Sequence, residues 1–272
     1  MQLVTYNIHF GLGRDGRVDL DRIAEAVAGG DVVALQEVDR HWPRSGMVDQ
    51  VRGLAERLPG HYWVFGPTID LASPLSRPGP HGALRRQFGN MILARWPILA
   101  SRNLLLPRGP RATRTMQRGV LEAIVATPGG ALRVYTTHLD YRAPRTRALQ
   151  FRAICDLIDG AVDDGGAWSG SHPSDGGWVL GDEPEIPTAA IVLGDLNAAP
   201  TDPEWATSFA NRGLVDVWEL VDGAAEARTK PDHGRIDHCL VTPDLAAEVR
   251  DAWIDVGATG SDHLPLWVKL DR

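Results

Sequence analysis

Short apolar runs alternate with amphipathic stretches along most of the chain. Residues 2–8 and 31–36 read as strands. Between them, residues 19–29 place Leu20, Ile23, Ala24 and Val27 on one helical face, with Asp19 at the N-cap position and Gly29-Gly30 as a stop. A second helix is expected near 48–58, with Val51, Leu54, Ala55 and Leu58 at helical spacing, followed by a strand at 62–66. Residues 67–88, punctuated by Pro67, Pro74, Pro78, Gly79, Pro80 and Gly82, predict a long loop. Strands follow at 89–94, 98–106, 118–126 and 131–137, the last two joined by the hairpin signal Pro128-Gly129-Gly130. A helix at 144–160 is expected to turn Leu149, Ile154, Leu157 and Ile158 inward. Residues 160–187, rich in Gly, Ser, Asp and Pro, read as a surface loop insertion. Strands return at 188–194, 235–242 and 264–270, with a short helix near 203–212. Hairpins with interspersed helices predict an α+β layered sandwich. No repeat or shift in composition divides residues 1–272, so one domain is expected.

Four strand-like runs end in a carboxylate or imidazole. They are LQE with Glu37, GDLN with Asp195 and Asn197, RIDH with Asp237, and SDH with Asp262 and His263. Such endings sit at sheet edges on rigid supports, and several together can form an oxygen-rich site for a hard cation and phosphoryl transfer. Asp195 and Asn197, spaced i, i+2, share a face of an extended chain and could hold a water between a base and an amide; an Asx turn would use the same residues. Asp237, in an apolar strand, needs a partner, and a histidine suits it. Asn7 and His138 each end a strand, and His9 lies two residues past Asn7. Taken singly, each is as well explained by a satisfied polar group at a strand end.

Net charge is −7, which argues against indiscriminate nucleic-acid binding. Yet Leu71 to Leu121 contains no Asp or Glu and carries nine arginines, Arg114 and Arg118 among them. They predict either a solvated surface or a basic wall facing an anionic substrate. Lys occurs only at Lys230 and Lys269. Cys155 and Cys239 lack metal-ligand spacing and read as buried, reduced thiols. Without a basic n-region, an apolar h-region or a membrane-length run, a cytoplasmic location is expected.

The ordered set TYNIH, LQEVD, FGNMILARWPI, TTHLD, GDLNA, RIDH and SDHLP resembles the endonuclease/exonuclease/phosphatase superfamily, the DNase I-like fold, over nearly the whole chain. The resemblance implies a four-layered α/β/β/α sandwich of two packed mixed sheets flanked by helices. It also implies a phosphoester hydrolase using Mg2+ or Mn2+; a monomer is expected. Glu37 would be the principal metal ligand, with Asn7 and Asp262 on the metal side. Asp195 would activate water beside Asn197, His263 would be oriented by Asp237, and His138 would lie near the scissile phosphate. Arg118, Arg114 and His9 are the expected substrate contacts. His9 stands where some repair nucleases carry an acid, and THLD is closer to the phosphodiesterase and phosphatase branches than to abasic-site nucleases. A small or lipid-derived phosphoester is therefore the expected substrate. The competing readings are a nuclease acting on DNA or RNA, a zinc hydrolase, and a non-catalytic binding protein on the same fold.

Overall fold

Alternation along the strands sets the layers. In β1 (Gln2–Asn7), Leu3 faces one way and Val4 and Tyr6 the other. In β2 (Val32–Arg40), Ala34 faces one way and Val33 and Leu35 the other. A strand whose two faces are both apolar must be covered on both sides, and this requirement builds a sandwich. The structure is a computed structural model that describes residues 1–77, 84–109, 115–164, 186–209, 213–221 and 227–272.

The remaining strands are β3 (Tyr62–Ala72), β4 (Arg85–Ala94), β5 (Ile98–Leu105), β6 (Gly119–Thr127), β7 (Gly130–His138), β8 (Ala190–Asp195), β9 (Val215–Asp216), β10 (Asp237–Val241), β11 (Val249–Ile254) and β12 (Leu266–Leu270). They form two mixed six-stranded sheets, ordered β11-β12-β1-β2-β4-β3 and β5-β6-β7-β8-β10-β9. The central core lies between the sheets, where Leu3, Ala34 and Ile92 meet Val134, Ile191 and Leu193. Helices α1 (Leu20–Val27) and α2 (Gln50–Arg57) cover the first sheet with Ile23, Val27, Val51 and Leu54. Helix α3 (Pro144–Asp159) covers the second with Phe151 and Ile154. This is the α/β/β/α sandwich of the DNase I-like fold. Asp19 caps α1 by accepting from the Asp21 and Arg22 amides, as its position predicted.

Several elements differ from expectation. β3 and β4 pair through Ala72 and Arg85, so they take in both ends of the expected 67–88 loop; Pro67 is accommodated beside a register shift. Leu149 is exposed, and Phe151 packs inward in its place. The helix expected near 203–212 is a short π-helical turn, Trp205–Phe209. β11 was not anticipated, because Arg250 and Asp251 interrupt its apolar pattern; as an edge strand it tolerates them. Within the expected 160–187 loop, Ala161–Asp164 is helical; residues 165–185 and Arg114 lie outside the described residues. Cys155 and Cys239 are both buried and are not joined by a disulfide. Among the described residues, no helix is long and apolar enough to cross a membrane.

Candidate active site

Strand register assembles the site. β7 runs parallel to β8, and β10 runs antiparallel to it. Asp195 is consequently the Cα partner of both His138 and Asp237. Residues in register on adjacent strands project from the same face, so three chemically active side chains form one row at the edge of the second sheet. Gly194 permits the close pairing: a Cβ there would overlap the Thr137 carbonyl oxygen.

The first sheet meets this row through Asn7, whose Nδ2 donates to Asp195 Oδ2 at 2.9 Å and to Glu37 Oε1 at 3.2 Å. Asn7 Oδ1 accepts the His9 amide at 3.0 Å. Glu37 sits where the β2–β4 register shifts, with φ at 61°. That bulge aims its carboxylate out of the sheet into the cleft. His138 lies between the sheets, Nδ1 3.7 Å from Glu37 and Nε2 3.4 Å from Asp195. Burial, with Arg118 nearby, holds its pKa well below the ordinary imidazole value.

His263 arrives on a turn tied to β1. Ser261 Oγ donates to the Asn7 carbonyl at 2.7 Å, and the His263 amide is 3.2 Å from Ser261 Oγ. Its Nδ1 lies 2.8 Å from Asp237 Oδ2, and its Nε2 lies 3.7 Å from Asp195 Oδ2. Burial opposes charge on His263, but Asp237 and then Asp195 outweigh it and raise the pKa. Asp195 is also raised, chiefly by burial and by repulsion from Asp237. Asn197 has φ at 52° and closes an Asx turn, donating its amide to Asp195 Oδ1 at 2.9 Å, while its Nδ2 reaches the Leu139 carbonyl at 3.0 Å.

Behind the row, Asp216 holds the RIDH segment. Arg235 Nη1 donates to Asp216 Oδ2 at 2.8 Å, and His238 Nδ1 lies 3.2 Å from the same oxygen. Burial would raise Asp216, but His238 and Arg235 lower its pKa to about 2. Its stabilising contribution is complete above the ordinary carboxylate pKa near 4. It is lost as pH falls toward 2, because the unfolded chain takes up the proton first. Urea unfolding of wild type should therefore lose about 2 kcal/mol more than Asp216→Asn between pH 4 and pH 2. Parallel pH profiles for the two proteins would show that Asp216 has no depressed pKa.

His138 and Asp195 of the row, with His263, line a cavity of about 470 Å³ that also carries His9, Arg118 and Asp262. Arg118 is buried, and its Nε and Nη1 have no hydrogen-bond partner among the described residues. Burial lowers its pKa, while Glu37 and Asp195 favour the charge. Asp262 faces Lys230, with Nζ to Oδ2 at 2.8 Å, and His9, with Nδ1 to Oδ1 at 3.5 Å. Lys230, Arg44, Tyr141 and His233, to which the motifs assign no role, also line the cavity. The one available signal was the scarcity of lysine in an arginine-rich chain. Among the described arginines of 71–121, not all are free to face a substrate. Arg85, Arg95 and Arg102 pair with Asp70, Asp31 and Glu122, acids that flank the stretch in sequence or lie far from it.

The donor chemistry suits a hard divalent cation. Among the described residues, Glu37 has no Lys or Arg within ion-pair distance and accepts one hydrogen bond, from Asn7. A carboxylate presented to a cleft without a counter-charge is a fitting oxygen ligand for Mg2+ or Mn2+. Asp195, Asp237 and His263 also bring ligand atoms within 4.8 Å of one another, the kind of grouping a zinc centre would need. Part of this set is already engaged, His263 Nδ1 with Asp237 Oδ2 and Asp195 with Asn7 and Asn197, while Asp237 Oδ1 has no hydrogen-bond partner among the described residues.

A sequence model of the Endonuclease/Exonuclease/phosphatase family matches residues 4–263. An endonuclease/exonuclease/phosphatase from Beutenbergia cavernae is 26% identical, with 99% of this chain and 71% of that one covered and a TM-score of 0.73. The Bacteroides thetaiotaomicron mannosyl-6-phosphatase Bt3783 is 19% identical, with full coverage of both chains and a TM-score of 0.67. D. rerio TDP2 complexed with a single-strand DNA product is 20% identical, with 100% and 99% covered and a TM-score of 0.65. No curated protein matches the chain.

Proposed function

Because the chain belongs to the Endonuclease/Exonuclease/phosphatase family, whose members hydrolyse phosphoesters, we propose that it is a Mg2+- or Mn2+-dependent phosphoester hydrolase acting on a small or lipid-derived substrate. The observation that carries this reading is the buried row His138–Asp195–Asp237 with His263 bridging its two acids, facing Glu37 across one cleft. In this reading, Asp195 takes a proton from the attacking water, with Asn197 fixing the turn that aims it. Its burial beside Asp237 makes it a stronger base than an exposed carboxylate. His263, oriented and kept charged by Asp237, stabilises negative charge on the phosphoryl oxygens. His138 stays neutral and can donate a hydrogen bond without attracting Asp195 as a full charge would. Arg118, with two donor atoms unengaged, binds substrate phosphate. Glu37, with Asn7 beside it, would hold the divalent cation, which supplies Lewis-acid polarisation of the phosphoryl group.

A small substrate is favoured over a polynucleotide because three of the seven described arginines in the acid-free stretch are neutralised in pairs and the net charge is −7. Relatives with a DNA product and with a sugar phosphatase activity share the fold, so substrate class is set by the cleft rather than the scaffold. One panel tests the proposal: p-nitrophenyl phosphate, bis-p-nitrophenyl phosphate, sugar phosphates, lysophospholipids, plasmid and short single strands, each with Mn2+. Turnover of small or lipid phosphoesters exceeding that of nucleic acid is expected. Turnover confined to plasmid or single strands, falling steeply with salt, would make the protein a nuclease; no turnover of any member would leave the fold without the proposed chemistry.

A further inference from the structure

The cleft contains a lysine that the reaction as described leaves without work. Lys230 sits in a tight turn, where its amide donates to the Gly234 carbonyl at 3.0 Å and its carbonyl accepts from His233 and Gly234, each at 2.9 Å. Gly234 has φ at 88°, which suits glycine. The turn is pinned to the catalytic segments on both sides. Thr229 Oγ1 accepts the Ile236 and Asp237 amides at 3.1 and 3.0 Å, and the Thr229 carbonyl accepts the Leu264 amide at 2.7 Å. Thr229 is fully buried. The lysine backbone is thus fixed against both the RIDH and SDH segments, and the ammonium has little positional freedom left to lose on binding.

The side chain follows the same plan. Lys230 Nζ lies 2.8 Å from Asp262 Oδ2 and 3.1 Å from His263 Nε2, the imidazole nitrogen that Asp237 leaves free. An ammonium carries three donors. One is on Asp262, no other carboxylate or carbonyl among the described residues accepts from the rest, and the side chain is a quarter exposed, at 25%, to the cleft. Asp262 holds the ammonium protonated: burial works against the charge, but the Asp262 bond outweighs it.

We propose that Lys230 is a phosphoryl-binding residue: its ammonium, with Asp262 as counter-ion, grips a phosphate oxygen of the substrate beside His263 Nε2. The inference rests on the phosphoester reading and extends it by one group. It also gives Asp262 a task other than the metal-side one expected from sequence, that of setting and charging Lys230. A compact ammonium on a pinned turn makes a point-charge contact to one oxygen, whereas the buried Arg118 guanidinium can address two.

Inorganic phosphate, titrated calorimetrically in Mg2+ buffer, tests this without requiring turnover. Lys230→Met should weaken phosphate binding about tenfold or more, the scale of one lost charge-assisted hydrogen bond. Lys230→Arg should restore most of it. Asp262→Asn, which keeps the ammonium, should retain phosphate affinity better than Lys230→Met does. Thermal melts of all three variants show whether the fold persists; should Lys230→Met unfold, the order of Lys230→Arg and Asp262→Asn against wild type still decides. Phosphate affinity unchanged in a folded Lys230→Met would overturn the proposal, as would an absence of phosphate binding by wild type. An equal loss in Asp262→Asn and Lys230→Met would make the pair a purely structural one and overturn it too. Failure of the substrate panel alongside a Lys230-dependent phosphate site would instead locate the fault in the hydrolase reading.

Discussion

Asp195→Asn and His263→Ala should each lower turnover by at least about two orders of magnitude, the scale of a lost general base or charge stabiliser. The expectation follows from how completely each group is committed. Asp195 is held by Asn7, by the Asn197 amide and by the approach of His138 and His263, so no neighbouring carboxylate can move into its place. His263 has one nitrogen fixed by Asp237 and presents the other to the cleft. Because the two act on one transition state, the double variant should be little worse than the poorer single variant. The fold should persist, since Asp195 ends a strand, His263 lies on a turn, and neither belongs to the central core. Steady-state kinetics with thermal melts reads all of this. A folded variant with near-wild-type turnover would remove that residue from the mechanism, and fully multiplicative losses would separate the two roles.

Chelation should abolish turnover, with recovery on adding Mg2+ or Mn2+, and Glu37→Gln should reproduce the loss without chelator. Glu37 accepts one hydrogen bond, from Asn7, has no Lys or Arg within ion-pair distance among the described residues, and sits at a bulge lining the cleft. A neutral amide keeps the size and the Asn7 contact but gives up the charge that attracts a hard cation. Mn2+ affinity, followed by the loss of free-ion paramagnetic resonance signal, should drop at least about 100-fold in Glu37→Gln, beyond the range seen for residues that only support a ligand. Full turnover in excess chelator would be incompatible with a metallohydrolase. Unaltered Mn2+ binding by Glu37→Gln would move the cation to other ligands and spare the rest of the site.

Much of this was legible in the chain before folding. Alternating apolar positions set ten of the twelve strands, at least in part, and the three covering helices, because burial on one or both faces leaves a local signature of period two or 3.6. Capping by Asp19 was equally local. The ordered motifs that carry the acids and imidazoles were enough to show the resemblance to a phosphoester hydrolase family, because each motif is contiguous in sequence.

Pairing between distant segments decided the rest. That His138, Asp195 and Asp237 stand in one row depends on β8 running parallel to β7 and antiparallel to β10, a register no single segment encodes. β3 and β4 override the turn signals of 67–88 because each gains a partner along its length. Arg85, Arg95 and Arg102 lie in an acid-free stretch, yet their counter-charges come from Asp70 next to it, Asp31 far before it and Glu122 just after it. Lys230, one of two lysines in the chain, reaches Asp262 and His263 because buried Thr229 stitches two segments together. Composition and periodicity are properties of neighbours along the chain and survive in the sequence. Charge pairing and catalytic geometry are properties of neighbours in space, and only the packed sheets bring those together.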